Sequence, residues 1–223
     1  MTLEAKMRRF ANVRVLIFDL DGTLIDSGLD LAHSVNAALA ESGRSALPHQ
    51  TIFSYVGDGA GELIRRALGN GAGNAEVDRI LTFFLNYYRA HMLDNTRLYP
   101  GVREGLEQLA GYSLAVLTNK PVRFSRAILE GLHVDQFFRF IYGGNSFERK
   151  KPDPMGVRTL LQDFGATPGE AMVVGDSDVD VRTARNAGTV ACGVTYGLGS
   201  AGLRDCPPDL LVDSLTELPG VLR

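Results

Sequence analysis

No stretch of this sequence is apolar over the roughly 18 residues that a membrane span needs. Residues Met1 to Phe10 carry Glu4, Lys6, Arg8 and Arg9 without an apolar centre or a small-residue cleavage site, so they do not read as a signal peptide. Cysteine is scarce. Cys192 and Cys206 are the only two, with neither metal spacing nor a disulfide framework, which fits a reducing cytoplasm. Cys192 lies in an apolar run and Cys206 precedes Pro207-Pro208, and both read as inert. An excess of one charge is missing too: 23 Lys and Arg face 26 Asp and Glu, for a formal net charge of −3. That balance argues against nucleic acid or a membrane surface as the main partner. His33, His49, His91 and His133 have no ligand spacing and read as structural or surface residues. Internal repeats and low-complexity segments are absent.

What remains is an ordinary globular composition, 45% hydrophobic and 22% charged over 223 residues. It excludes disordered and fibrous classes and supports a sizeable core without disulfides. Residues 13–18 are an aliphatic and aromatic run that predicts a strand, ending in Asp19-Leu-Asp-Gly-Thr23. From there to Leu93 the pattern predicts helices and no strand. Leu31, Val35, Ala38 and Leu39 share a helical face and Gly43 is placed to stop that helix. The stretch 52–68 is interrupted by Gly57-Asp-Gly-Ala-Gly61, residues 69–74 form a loop, and 77–93 is a helix rich in Phe and Tyr. After Tyr99-Pro100-Gly101 the pattern alternates. Helices are expected at 102–110, 124–132, 154–164 and 179–187, and strands at 113–117, 140–142, 171–174 and 189–194, with 210–212 a further candidate. The fold class predicted is α/β, a doubly wound, mainly parallel, Rossmann-like sheet covered on both faces. Residues 1–24 and 93–223 would form this core, and 25–92 an inserted all-helical cap.

In doubly wound sheets, ligands bind beyond the carboxyl ends of the strands. Polar clusters stand at those ends here: Asp19-Leu-Asp21, Thr118-Asn119 and Gly175-Asp-Ser-Asp-Val-Asp180, with Arg149-Lys-Lys-Pro152 in the loop after 140–142. Any one of them could be a helix cap; their coincidence is harder to explain that way. Asp19 and Asp21 are two apart, so in extended chain they share a side, and Gly22 permits a tight turn after them. Converging carboxylates repel unless a cation compensates. Asp176 would complete a hard oxygen site of the kind Mg²⁺ prefers, and Lys151 would offset an incoming phosphate. Asp178 reads as a first-turn residue suited to a helix dipole, and Lys120 and Lys150 read as solvated.

Phe18-Asp-Leu-Asp-Gly-Thr-Leu-Ile-Asp-Ser27 resembles the first motif of the haloacid dehalogenase superfamily of phosphatases. Leu117-Thr-Asn-Lys120 resembles the second, Lys151-Pro152 the third and Val174-Gly-Asp-Ser-Asp-Val-Asp180 the fourth, in order and across essentially the whole chain. The resemblance makes Asp19 the nucleophile and Asp21 the general acid and base. Thr118 and the backbone N–H of Asn119 would hold phosphoryl oxygens, and Lys151 would neutralise phosphate and Asp19. Mg²⁺ would sit on Asp19, the carbonyl of Asp21 and Asp176, with Asp180 behind them holding water or Lys151. Asp21 favours phosphate esters over carbon–halogen or phosphonate substrates, which offer no ester oxygen to protonate.

A cap that closes over the site favours small phosphorylated metabolites. The segment Tyr55-Val-Gly-Asp-Gly-Ala-Gly-Glu-Leu-Ile-Arg-Arg-Ala-Leu68 is similar to the corresponding segment of phosphoglycolate phosphatases. Gly57, Gly59 and Gly61 would let backbone approach a small ligand, and Gly57, Asp58, Gly59 and Arg65 are candidate substrate contacts. Arg65 or Arg66 could clamp a substrate carboxylate, although adjacent residues cannot both face inward. The Phe83-Phe84 and Tyr87-Tyr88 cluster reads as cap core. The activity implied is hydrolysis of 2-phosphoglycolate by a cytoplasmic monomer or homodimer. β-Phosphoglucomutase-like or pyrophosphatase activity and a non-catalytic phosphometabolite sensor are the alternatives. The sensor would have lost one of Asp19, Asp21, Lys151 or Asp176, and all are present.

Overall fold

Four consecutive apolar residues, Val15–Phe18, form β1, buried at every position and paired in parallel on both sides. The computed structural model describes residues 10–222, so the reading of residues 1–9 falls outside it. After β1 come β2 (Ile25–Asp26), four helices and β3 (Arg97–Leu98). The helices are α1 (Gly28–Glu41), α2 (His49–Phe53), α3 (Ala60–Leu68) and α4 (Asn74–His91). The alternating half follows: α5 (Val102–Gln108), β4 (Ser113–Leu117), α6 (Val122–Gly131), β5 (Phe140–Tyr142), α7 (Met155–Phe164), β6 (Ala171–Gly175), α8 (Asp178–Ala187) and β7 (Val190–Val194). The chain then adds β8 (Leu210–Val212) and the single turn α9 (Leu218–Val221). Among the described residues the main sheet has six strands, all parallel, in the order β5-β4-β1-β6-β7-β8.

Strand side chains alternate between the two faces, and both faces are buried, as an all-parallel sheet requires. Leu16, Phe18, Val116 and Val174 pack with Leu106 of α5 and Ile128 of α6. Val15, Ile17, Ala115 and Val173 face the other way, onto Leu160 of α7 and Ala184 of α8. The first cluster runs on without a break into the helical segment, through Leu31, Val35, Ile52, Ile64, Ile80 and Phe84.

The expectation of no strand between Leu24 and Leu93 is corrected by β2. It pairs antiparallel with β3, Ile25 against Leu98 and Asp26 against Arg97. Two residues are too few to carry a period, so no sequence pattern marks them. Both crossings between the sheet and the four helices therefore lie side by side. Asp30, in the first turn of α1 and 1% exposed, fastens the second crossing. Its carboxylate accepts from the backbone N–H groups of Asn95 and Thr96, from Asn95 Nδ2 and from Thr96 Oγ1, at 2.8–3.0 Å.

Candidate active site

Asp19 directly follows β1, and its N–H donates to the Val174 carbonyl at 2.9 Å, extending the β1–β6 ladder by one residue. Its buried carboxylate meets Lys151, which leaves the loop after β5 and places Nζ 2.8 Å from Asp19 Oδ1 and 2.6 Å from Asp180 Oδ1. The Asp19 contact is an ion pair only, since Oδ1 completes no hydrogen bond. Asp180 is fully committed, because Oδ2 also accepts from the N–H and hydroxyl of Ser177 in the capping box that starts α8. Asp176, just past β6, accepts from the Gly199 N–H at 2.7 Å and more weakly from Thr23 Oγ1 at 3.4 Å. Gly22 has φ +86, and a side chain there would collide with the Asp176 carboxylate. Glycine is needed at that turn for two reasons at once.

Oxygens of Asp19, Asp176 and Asp180 all lie within 4.8 Å of one another. Three buried carboxylates thus share one ammonium. Burial pushes the Asp19 carboxyl up to about 6, with Lys151 pulling it down and Asp180 pushing it further up. Asp176 is raised well above the carboxylate range by burial, then by Asp180 and Asp19. For Lys151 burial works against the charge, but Asp180 and Asp19 outweigh it and hold it protonated. This excess of negative charge, on hard oxygen donors with Asp19 Oδ1 lacking a hydrogen bond, fits a divalent cation such as Mg²⁺. Asp178 takes the first turn of α8 and pairs with Arg182 at 2.9 Å, away from the cluster.

Beyond β4, Thr118 and Asn119 are buried. The Asn119 amide joins two segments: Nδ2 donates to the Gly57 carbonyl at 2.9 Å and to the Lys151 carbonyl at 3.0 Å, while Oδ1 accepts from the Lys151 N–H at 2.9 Å. Lys120 corrects its reading as a solvated residue. It is 7% exposed, and Nζ donates to Asp21 Oδ1 at 2.9 Å and Oδ2 at 3.1 Å while lying 4.6 Å from the Tyr88 ring centre. Burial opposes its charge, but Asp21 outweighs that and keeps it protonated. Asp21 also accepts from Ser27 Oγ at 2.5 Å. Lys150 remains exposed.

Between the sheet edge and the helices lies a cavity walled by Leu31, Leu63, Phe84 and Phe124, with Asp19, Asp21, Thr118 and Asn119 at its polar end. Its volume is about 50 Å³. One water needs about 10–15 Å³ on that measure, so the space suits a few heavy atoms. Gly57 and Gly59 line it. Asp58 does not, because it pairs with Arg66 at 2.5 Å. Arg65 is not brought to the cavity either: its side chain is 51% exposed, beside Glu62 and Asn74. Phe84 and Tyr88 are both core and cavity wall, stacked at 5.7 Å, whereas Phe83 and Tyr87 stack with each other outside it.

A family model described as "Haloacid dehalogenase-like hydrolase" matches residues 16–194. This chain belongs to that family. A phosphoglycolate phosphatase of Pseudomonas putida is 41% identical over 216 residues, covering 93% of this chain and 79% of that protein. One from Haemophilus influenzae is 37% identical over 219 residues, covering 94% and 98%. A crystal structure described as "a predicted phosphoglycolate phosphatase from haemophilus somnus" superposes with a TM-score of 0.90 at 32% identity, covering 95% and 99%. The chain is therefore a hydrolase of the phosphatase kind.

Three parts of this hydrolase's site were not anticipated from sequence. Lys120 reaches Asp21 across the sheet edge, a pairing that no local spacing reveals. The Asn119 side chain, rather than its backbone alone, ties the Gly57 loop to Lys151. The loop Gly197-Leu-Gly199 closes on Asp176, where a side chain at Gly197 would strike both Asp176 and the Gly22 carbonyl. Its Gly-x-Gly spacing was the available signal.

Proposed function

We propose that this hydrolase is a Mg²⁺-dependent phosphomonoesterase that converts 2-phosphoglycolate to glycolate and phosphate through an aspartyl-phosphate on Asp19. The observation that carries the reading is the buried Asp19–Lys151–Asp176 cluster, whose Asp19 also lines the neighbouring cavity beside Asp21 and Thr118. Asp19 attacks phosphorus and the phosphorus–ester oxygen bond breaks, with the proton for the leaving oxygen coming from Asp21. Asp21 then takes a proton from water, which attacks the aspartyl-phosphate, and inorganic phosphate leaves Asp19 free again. Thr118 and the Asn119 N–H orient the phosphoryl oxygens, and Lys151 holds its charge against them. Asp19, the Asp21 carbonyl and Asp176 would hold Mg²⁺, which supplies charge neutralisation when bound. Asp180 positions Lys151.

In this reading residues 25–92 form a cap over the core of 1–24 and 93–223, and the Gly57 contact to Asn119 belongs to the closed state. The named activities of the relatives supply the substrate, and the apolar cavity beside Asp21 offers a place for a small leaving group. Two buried free thiols support a cytoplasmic setting. The test is a panel of phosphate esters with Mg²⁺, including a hexose phosphate and pyrophosphate. The highest kcat/KM is expected for 2-phosphoglycolate. A sugar phosphate or pyrophosphate in first place would overturn the substrate. Activity retained by D19N would overturn the mechanism.

A further inference from the structure

Phosphoglycolate carries a second negative charge, and the arginines nearest in sequence do not meet it. Arg66 is held by Asp58 and Glu62, and Arg65 faces out. Lys151 is committed to Asp19 and Asp180. Among the described residues that line the cavity, Lys120 alone has a cationic side chain. We infer that Lys120, with the hydroxyl of Tyr88, binds the substrate carboxylate and sets the specificity of this phosphatase. The inference rests on the phosphoglycolate reading above and names the residue that reads its leaving group.

Connectivity carries the argument. The ester oxygen of phosphoglycolate must meet Asp21 to be protonated, and the carboxylate carbon is only two bonds from that oxygen. Whatever reads the carboxylate must therefore stand beside Asp21, and Lys120 is hydrogen-bonded to both Asp21 oxygens. An ammonium has three donors. Nζ meets Asp21 at 2.9 and 3.1 Å and lies 4.6 Å from the Tyr88 ring centre, so ammonium and phenol stand together beside Asp21. Tyr88 offers the other half of the site. Its hydroxyl is buried without a hydrogen-bond partner, and a buried donor left unpaired is costly. Burial pushes that hydroxyl up to about 12, partly offset by Lys120, so it stays a donor at neutral pH. Apolar walls keep water off the pair and lengthen the reach of its charge. A neutral leaving group of the same length offers Lys120 no charge and the pair at most one hydroxyl, and sites built for a carboxylate reject such a substrate strongly.

The test compares kcat/KM for 2-phosphoglycolate with that for 2-hydroxyethyl phosphate, which replaces the carboxylate by a hydroxymethyl group. Full-length protein with Mg²⁺ is used as wild type, K120M, K120Q and Y88F. The ratio within each variant is independent of the fraction folded. We expect a wild-type ratio of about 100 or more, falling to near one in K120M and K120Q, and severalfold lower in Y88F. If K120M is too slow on both esters, the same ratio is read as binding by calorimetry in D19N and D19N/K120M. A high wild-type ratio that survives in K120M would overturn the role of Lys120 and leave it as a brace for Asp21. A wild-type ratio near one would tell against the phosphoglycolate reading itself.

Discussion

On the sheet side of the cavity, charged side chains pair across distant parts of the chain: Lys151 with Asp19 and Asp180, and Lys120 with Asp21. On the helical side, Asp58, Glu62, Arg65 and Arg66 pair among themselves within nine residues, and their side chains are about a third to a half exposed. The first set stands on strand ends that the core holds rigid. The second belongs to a short helix and its leading loop. Exposed pairs contribute about 0–1 kcal/mol, whereas breaking a buried pair costs about 3–5 kcal/mol. In the proposed mechanism charge on the sheet side does the chemistry, charge on the helical side is local stabilisation, and the helices contribute shape.

Seven substitutions can break or sharpen that contrast. The largest effect is expected for D19N, where phosphate release should fall at least about a thousandfold. Its melting temperature should hold or rise despite the lost Lys151 pair, because burial pushes the Asp19 carboxyl up to about 6 and the fold therefore disfavours its charge at neutral pH. Next, D176N should abolish the Mg²⁺-induced rise in melting temperature and cut activity about 100-fold or more. By contrast, D180N should weaken metal response only about 10–100-fold while lowering the metal-free melting temperature, since Lys151 loses a partner. A reversed ranking in Mg²⁺ titrations would reassign the ligands.

Asp30 tests the sheet–helix joint. D30A should cost about 2–4 kcal/mol in urea unfolding at pH 7, because Asn95 and Thr96 lose their shared acceptor. Burial works against the Asp30 charge, but the hydrogen bonds from Asn95 and Thr96 outweigh it and lower its pKa. A carboxylate depressed in the fold stabilises above its ordinary value near 4 and loses that contribution as pH falls below it. The wild-type advantage over D30A should shrink in acid.

Smaller again is the contrast between G59A and G57A. Both glycines have positive φ, +91 and +129, so both substitutions strain the backbone by about 1–2 kcal/mol. Only at Gly59 would the new carbon press on another segment, 3.0 Å from the Asn119 carbonyl oxygen; at Gly57 nothing lies within 4 Å. G59A should lose about tenfold more kcat/KM than G57A, read by steady-state kinetics. R65A closes the series, with stability within about 0.5 kcal/mol of wild type and unchanged kinetics. A large loss there would return a charged substrate contact to the helical wall.

The sheet was legible because each strand is a short apolar run between polar clusters, and the helices because their apolar positions recur at helical spacing. Asp19, Thr118, Lys151, Asp176 and Asp180 converge in space because each stands at or beyond the end of a strand, and strand ends can be read. What escaped depended on length or distance. β2 is too short for any pattern. Lys120 and Asp21 are 99 residues apart, and nothing local distinguishes Lys120 from the solvated Lys150. Arg65 and Arg66 could not be ranked, because the choice turns on Asp58, which precedes the helix and whose direction the sequence leaves open.

The paired crossings of β2 and β3 have a mechanical consequence. Two independent linkers would let the four helices tilt, slide and twist over the sheet. Joined as one ribbon through Ile25–Leu98 and Asp26–Arg97, and bolted to α1 through Asp30, they leave a single soft axis, like a door on one hinge pin. In the cap reading proposed above, a swing about that axis would lift the Gly57 loop from Asn119 and bring it back to the same place. Registration of the Gly57 loop against Asn119 would then come from the pivot, through one hydrogen bond and no network of polar latches.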